Sequence, residues 1–167
     1  FALVADACVE DMREAVTAAR ESYEADVWAG LPVKERGQAL LRIAQAVREN
    51  AKRLAELESF DTGKTIKQTT FIDVPACADT FEYFSGAGDL LKGKLNPVPA
   101  PVRSLTEREP LGVVACIIPW NYPLIMFAWK VAPALLAGNS VVFKPSQHVS
   151  VSVLYLAGIM RDLGLLP

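Results

Sequence analysis

The sequence is poor in the residues that build metal sites and disulfide frameworks. Its three cysteines, Cys8, Cys77 and Cys116, are odd in number and widely spaced, and no two of them form a Cys-x-x-Cys pair. The single histidine, His148, completes no zinc-ligand set with them. We therefore expect reduced thiols, no bound metal and a cytoplasmic location.

Basic charge and phosphate-binding glycine loops are also missing. The formal net charge is -2 and the pI is about 5.5, whereas nucleic-acid-binding domains usually carry a basic face. No G-x-G-x-x-G occurs, and the G-x-x-x-x-G-K pattern from Gly88 to Lys94 is followed by Leu95 instead of the Ser or Thr of a P-loop. We therefore expect no nucleic-acid partner and no P-loop chemistry.

One apolar stretch, from Leu111 to Gly138, is long enough to cross a bilayer, which takes about 20 residues. Its only strongly polar side chains are Asn121 and Lys130. A proline inside a helix costs roughly 3 kcal/mol, and three prolines interrupt this stretch: Pro119, Pro123 and Pro133. The stretch therefore predicts a buried strand, a turn and a buried helix, and no membrane partner.

The first half of the chain predicts three helices. The first covers 8–27 on the helical spacing of its apolar residues. The second begins at Pro32 and ends at Asp61-Thr62-Gly63, where Gly63 suits a left-handed cap. Its apolar stripe leaves Arg36, Arg42 and Glu49 outside and comprises Leu40, Ile43, Ala44, Val47, Ala51 and Leu54. The third covers 66–91, with a weak end at Gly86 and Gly88.

The second half predicts an α/β fold. The proline-rich segment from Lys94 to Pro110 favours an extended ribbon or hairpin. The apolar run 113–118 is typical of a parallel strand covered on both faces. A helix over 123–136, a strand over 141–144 and a helix over 151–161 complete a strand–helix–strand–helix unit with a right-handed crossover.

The segment Pro119-Trp120-Asn121-Tyr122-Pro123 follows the carboxyl end of the first of these strands, where open α/β sheets bind ligands. An amide N–H group of Asn121 aimed into the cleft would stabilise a developing oxyanion, and loss of such a donor typically costs about 2.7–4 kcal/mol. Alternatively, Asn121 only caps the helix that begins at Pro123. From the residues alone capping is the commoner role.

The helix after this turn has two different faces. Tyr122, Met126 and Trp129 share one face with Lys130 beside them, which resembles a narrow apolar tunnel with a polar end. The alternative is that this face of the helix is ordinary core, with a lysine whose charged end reaches solvent. The second strand ends at Lys144-Pro145-Ser146-Gln147, where the lysine is placed either to bind a ribose or phosphate or simply to be solvated.

Taken together, these segments resemble the aldehyde dehydrogenase superfamily in order and spacing over nearly the whole chain. The first half carries Trp28, Arg36, Glu58 and Asp61-Thr62-Gly63-Lys64. The more specific second half carries Glu109-Pro110-Leu111-Gly112-Val113-Val114, Pro119-Trp120-Asn121-Tyr122-Pro123, Trp129-Lys130, Ala132-Pro133-Ala134-Leu135, Gly138-Asn139 and Lys144-Pro145-Ser146. A generic nucleotide-binding module of another family would not explain so many motifs in order.

The resemblance implies a fold of N-terminal helices followed by the first strand–helix–strand part of a Rossmann-like cofactor-binding domain. It divides the chain into a helical part over 1–92, a β-ribbon oligomerisation arm over 93–109 and an incomplete cofactor-binding segment over 110–167. The implied partners are an aldehyde and copies of the same chain, as a homodimer or homotetramer.

In that family a cysteine thiolate attacks the aldehyde to form a thiohemiacetal, hydride passes to NAD(P)+, and a glutamate activates the water that releases the acid. By resemblance, Asn121 is the oxyanion donor and Lys130 belongs to a proton relay. The aldehyde tunnel is lined by Tyr122, Met126 and Trp129. The cofactor is contacted by Ile117, Ile118, Pro119, Trp120, Asn121, Lys144, Ser146 and Gln147.

Two departures from the family pattern bear on function. Many NAD-preferring members have glutamate where this chain has Gln147, and a neutral amide removes the repulsion of a 2′-phosphate. We therefore expect NAD as the cofactor, with NADP accepted as well. The family's nucleophilic cysteine and general-base glutamate have no counterpart among these residues, so we expect the chain alone to be inactive. The alternative is a truncated, non-catalytic binding or assembly module.

The aldehyde itself is less well defined by the sequence. The Asn-Tyr-Pro turn and the segment Phe81-Glu82-Tyr83-Phe84-Ser85-Gly86 look most like members that act on betaine- or amino-type aldehydes. In some of these an aspartate near Asp73 helps to hold a monovalent cation.

Overall fold

A computed structural model describes residues 2–164. Its helices and strands follow one another in the order that the sequence predicts for an α/β chain. The helices in that range are α1 (Val9–Glu24), α2 (Val33–Glu49), α3 (Ala51–Thr62), the single turn α4 (Ile66–Gln68), α5 (Val74–Ser85), α6 (Pro123–Leu136) and α7 (Val151–Asp162). The strands are β1 (Lys94–Asn96), β2 (Ser104–Thr106), β3 (Val113–Ile117) and β4 (Ser140–Lys144).

The long second helix of the prediction is in fact two helices. The chain leaves helical geometry at Asn50, with φ of -100° and ψ of 14°, and the Asn50 side chain donates a hydrogen bond to the Ala46 carbonyl at 2.9 Å. Side-chain bonding to the preceding turn competes with helix continuation, which is why asparagine ends helices. The predicted end at Gly63 is confirmed, since Gly63 has φ of 76°.

The third predicted helix is interrupted as well. A π-helical turn over Thr69–Asp73 lies between α4 and α5, and a 3-10 turn over Ala87–Leu91 follows α5. The end of α5 at Ser85, directly before Gly86, agrees with the expected weak end. Helix α1 is present as predicted, but its apolar residues Val9, Met12 and Val16 are exposed.

The core lies between α2, α5 and α6. Leu40, Phe81 and Leu124 are fully buried there, and the Phe81 and Phe127 rings lie 6.1 Å apart. Helices α2 and α5 approach so closely that a Cβ at Gly37 would lie 2.3 Å from the Ser85 carbonyl oxygen. Glycine is therefore required at position 37 by the helix spacing.

Arg36, which the sequence placed outside the apolar stripe, is buried. Its guanidinium donates hydrogen bonds to the carbonyls of Leu136 (2.9 Å), Ala29 (2.9 Å) and Leu31 (2.6 Å), and burial lowers its pKa from the usual value. Because the last carbonyls of a helix carry partial negative charge, this arginine stabilises the carboxyl end of α6. A charged side chain can be a core residue when carbonyls satisfy it.

The strands form two separate pairs. β1 and β2 pair antiparallel, which confirms the predicted ribbon, and β3 and β4 pair in parallel. The β3–β4 pair is covered less completely than the sequence predicted, because Ala115 and Ile117 are exposed in β3. Within residues 2–164, no helix combines the length and apolarity needed to cross a membrane.

Candidate cofactor and aldehyde site

The carboxyl ends of β3 and β4 lie side by side and define one edge of the molecule. Ile117 is the cross-strand partner of Lys144, and the Ile118 N–H donates to the Lys144 carbonyl at 3.3 Å. Lys144 is exposed, Ile117 is 65% exposed, and the Ile118 side chain is buried. The Ile118 side chain is therefore not exposed at this edge, and its N–H group is already bonded to Lys144.

Asn121 lies in the exposed turn between β3 and α6. The residue that precedes the helix is Tyr122, and no side chain of the turn caps α6. The alternative in which Asn121 only caps α6 is therefore wrong. No residue in the described range 2–164 is hydrogen-bonded to the Asn121 amide, and Asn121, like the neighbouring Pro119 and Trp120, is exposed.

The two faces of α6 differ as predicted. Phe127 and Val131 are buried in the core. On the other face Met126 is half-buried, Lys130 is exposed, and Trp129 is 57% exposed. Within residues 2–164, this face of α6 is therefore not part of the packed core.

The polar residues that follow β4 differ in exposure and in hydrogen bonding. Ser146 is buried, its hydroxyl accepts a hydrogen bond from the His148 N–H at 3.2 Å, and its backbone pairs with Val149. Gln147 is exposed at the tip of the loop. The exposed side chains are thus Lys144, at the end of β4, and Gln147, in the loop, whereas the Ser146 side chain stabilises the turn.

Two carboxylates at the end of α3, which the site prediction missed, bind the first turns of α6 and α7. Glu58 accepts a hydrogen bond from the Leu124 N–H of α6 at 3.4 Å and another from the Ser152 hydroxyl of α7. Asp61 accepts from the N–H groups of Ser150 and Val151 at 2.7 and 2.8 Å. The family-like Glu58 and Asp61 were visible in the sequence, but their three-residue spacing was the only signal of a shared face.

Glu58 is fully buried, and desolvation raises its pKa from 4.5 to about 7, against the lowering effects of Ser152, the Leu124 N–H and Lys64. The neighbouring Asp73 raises the pKa further. A carboxyl group with no exposed surface cannot reach a substrate at the edge of the sheet. Its contacts instead tie α3 to the first turns of α6 and α7.

Lys64 connects this buried cluster to the turn. Its ammonium lies 3.6 Å from the centroid of the Tyr122 ring and 2.5 Å from Asp73 Oδ2. The other oxygen, Asp73 Oδ1, is buried and has no hydrogen-bond partner within residues 2–164. The expected cation ligand Asp73 thus already has a positively charged partner, and the same range holds no group of three His, Cys, Asp or Glu side chains placed around a metal.

Two of the cysteines lack the properties of a nucleophile. Cys77 is fully buried, and desolvation raises the pKa of its thiol. Desolvation also raises the pKa of the Cys116 thiol, although nearby Lys130 opposes the shift. Because the thiolate is the reactive form, burial disfavours reaction at both thiols. This agrees with the expected inert thiol at Cys116.

The exposed residues at this edge are of two kinds, apolar and hydrogen-bonding. Ile117 and Trp120 offer apolar surface for planar rings, and Lys144 and Gln147 offer donors for ribose hydroxyls or phosphate. The fold is that of an α/β protein with a parallel strand pair, and proteins of this class bind ligands at the carboxyl ends of their strands.

The chain belongs to the aldehyde dehydrogenase family, which its sequence matches over residues 1–167. It is 40% identical to retinaldehyde dehydrogenase 3 of Rattus norvegicus, over 94% of this chain and 31% of the relative. It is 39% identical to betaine aldehyde dehydrogenase of Bacillus subtilis (strain 168), over 98% of this chain and 34% of the relative.

The fold agrees with the same family. A betaine aldehyde dehydrogenase from Staphylococcus aureus, solved in complex with NAD+, superposes with a TM-score of 0.92 at 36% identity, over 98% of this chain and 32% of that one. The present chain therefore spans about a third of the length of these relatives, at 31% to 34%. It corresponds to their N-terminal part.

Proposed function

We propose that this chain is part of an enzyme that oxidises aldehydes to carboxylic acids with NAD(P)+. In that enzyme it forms one side of the cofactor site and supplies the oxyanion donor. The observation that carries the proposal is the exposed Asn121, with no competing hydrogen bond in the described range, at the carboxyl end of a parallel strand. A donor left free by the fold costs no reorganisation when charge develops on a substrate oxygen.

Asn121 is proposed to donate its side-chain N–H to the aldehyde oxygen as that oxygen becomes negative. Removal of one such donor typically costs about 2.7–4 kcal/mol, a factor of 10²–10³ in rate. The half-buried Tyr122 and Met126 and the exposed Trp129 are proposed to orient the aldehyde carbon chain beside it. Lys130, exposed on the same helix, is proposed to belong to the proton relay.

The cofactor is proposed to lie across the ends of β3 and β4. Ile117, Pro119 and Trp120 would contact it from one strand end, with Ile118 through its backbone, and Lys144 and Gln147 would hold the adenosine ribose from the other. Ser146 would contribute through the loop conformation that its hydroxyl stabilises. When bound, the nicotinamide accepts the hydride. The relative solved with NAD+ supports NAD as the cofactor, and the neutral Gln147 supports acceptance of NADP.

The nucleophile and the general base are proposed to come from outside these residues. Cys77 and Cys116 are buried thiols with raised pKa values, and Glu58 is buried beneath α6. We therefore propose that the 167-residue chain alone does not turn over aldehyde. The substrates are proposed to be betaine- or amino-type aldehydes, since Trp129 is 57% exposed and its indole ring would offer a cation–π contact to a cationic substrate.

The β1–β2 ribbon is proposed to be an oligomerisation arm. Leu95, Val102 and Leu105 are 76%, 64% and 59% exposed along it, an apolar surface that a second copy of the chain would cover.

The function is tested by the intact mass of the native protein together with reduction of NAD+ followed at 340 nm. We expect reduction that requires an aldehyde, with betaine aldehyde compared against propanal. A protein that binds neither NAD+ nor NADP+ by calorimetry and reduces neither would overturn the proposal, and would favour an assembly module that retains the fold.

A further inference from the structure

The first turn of α6 has no capping group of its own. Pro123 opens the helix and has no N–H to donate, and Tyr122, before it, makes no side-chain cap. The next donor, the Leu124 N–H, is buried and needs a partner. That partner is Glu58, which lies 66 residues earlier in the chain.

We propose that Glu58 is a positioning residue for Asn121, which it holds in the donor position by anchoring the first turn of α6 from beneath. This inference rests on the proposed role of Asn121. Only Tyr122 and Pro123 separate Asn121 from Leu124, and Pro123 has a fixed φ. A displacement of the Leu124 N–H is therefore transmitted to Asn121 with little chain in which to absorb it.

The second oxygen of Glu58 makes the anchor rigid. It accepts a hydrogen bond from the Ser152 hydroxyl of α7. The carboxyl group is therefore held between α6 and α7 and cannot rotate freely. When Glu58 is ionised, its negative charge also faces the amino end of α6, which carries partial positive charge. The charged and titratable groups around it are Lys64, Asp73 and Cys77.

Lys64 holds Tyr122, one of the two residues between Asn121 and Leu124. Its ammonium packs on the Tyr122 ring at 3.6 Å while Asp73 fixes the ammonium from the other side at 2.5 Å. The turn is thus supported at Leu124 by hydrogen bonding and at Tyr122 by ring packing. Asn121, exposed and unbonded to residues in the described range, depends on both supports for its direction.

The experiment compares Glu58→Ala, Glu58→Gln and Thr69→Val in the native protein, with propanal and NAD+. Glutamine retains an acceptor for Leu124 and a donor for Ser152. Thr69 is a matched control because it is fully buried and donates to the Ala55 carbonyl at 2.9 Å, with no hydrogen bond to α6 within residues 2–164. Should Glu58→Ala fail to fold, Glu58→Met replaces it, since methionine fills similar space and equally lacks the acceptor.

We expect Glu58→Ala to lower kcat about 10- to 100-fold, the scale expected for a misplacement of about 1 Å in an active site. The KM values for propanal and NAD+ should change by less than about threefold, because ground-state binding is left intact. Glu58→Gln should recover most of kcat, and Thr69→Val should retain it. Unchanged kcat in Glu58→Ala, or an equal loss in Thr69→Val, would overturn the proposal.

Hydrogen exchange supplies a readout that does not depend on activity. We expect the peptide over 119–126 to exchange faster in Glu58→Ala than in the wild type or Thr69→Val, because the Leu124 N–H loses its acceptor. Equal exchange in all three would overturn the positioning role. If the wild type reduces no cofactor but this peptide is loosened, the proposed function fails while the anchor remains.

Discussion

The Glu58 carboxylate and the Leu124 N–H, 66 residues apart, are joined by a 3.4 Å hydrogen bond that fastens the end of α3 to the beginning of α6. The other end of α6 is held by Arg36, which donates to the Leu136 carbonyl. A carboxylate at the amino end and a guanidinium at the carboxyl end match the polarity of the helix. The N-terminal helices thereby hold both ends of α6, the helix that follows the turn containing Asn121.

Glu58 makes the stability of the protein depend on pH. Its pKa is about 7 in the folded protein, whereas the ordinary value is 4.5, so between these values the folded state binds more protons than the unfolded state. The free energy of unfolding should therefore fall as pH rises from about 4.5 to 7 and level off above it. At about 1.4 kcal/mol per pKa unit, the loss is at most about 3 kcal/mol.

Urea denaturation across that pH range measures the effect. Glu58→Gln should remove most of this part of the pH dependence, whereas Ser152→Ala should extend it to higher pH, because the Ser152 hydroxyl lowers the Glu58 pKa. A Glu58→Gln profile identical to that of the wild type would contradict the assignment.

The spacing of α2 and α5 predicts a contrast between two glycines. Gly37→Ala places a Cβ 2.3 Å from the Ser85 carbonyl oxygen and should destabilise the protein by about 1–3 kcal/mol, as overpacking does. Gly158→Ala, in α7 with no atom within 4 Å of the new Cβ, should stabilise it by about 0.5–1 kcal/mol. Urea unfolding of both variants checks the packing, and equal effects would disagree with this helix spacing.

The sequence predicted the helices and strands around the site more accurately than the buried contacts that hold them in place. Helix α6 and strand β4 were predicted to within a residue, because periodic apolar runs bounded by proline and glycine are local signals. The break at Asn50 and the π-turn at Thr69–Asp73 were missed, since each departs from a helical pattern that continues through it. A sequence pattern records periodicity, whereas an interruption depends on side-chain contacts.

The buried charges were missed for a related reason. In the sequence Arg36 and Glu58 are simply charged residues. Their partners, the carbonyls around Arg36 and the Leu124 N–H beside Glu58, are brought to them only in the folded chain. Asn121 and Lys144, in contrast, could be placed by rule at the ends of parallel strands. The exposed edge at the ends of β3 and β4 was therefore predictable, and the buried hydrogen bonds beneath it were not.

Gln147 should govern the choice of cofactor. Gln147→Glu should raise the Kd for NADP+ about 10- to 100-fold and leave the Kd for NAD+ nearly unchanged, because like charges brought together cost on the order of a few kcal/mol. Gln147→Leu is the control, since it removes the amide without adding charge. Calorimetric titration of both cofactors measures this, and strong discrimination against NADP+ in the wild type would contradict the role of Gln147.

The thiols should differ in reactivity. Cys8 is exposed and should be alkylated by iodoacetamide fastest, while the buried Cys77 and Cys116 should react only as the protein unfolds. Mass mapping of the labelled peptides measures the three rates. Rapid labelling of Cys116 in the folded protein would show a reactive thiol at that strand and would argue against a nucleophile from outside this chain.

The role of Asn121 is tested most directly by aldehyde-dependent NADH formation at 340 nm, with the native protein and its Asn121→Ala variant side by side. We predict that the variant loses about 10²–10³ in kcat, with the Kd for NAD+ nearly unchanged. Equal kcat values for the two proteins would contradict the account, because the exposed amide at the end of β3 would then have no part in the reaction.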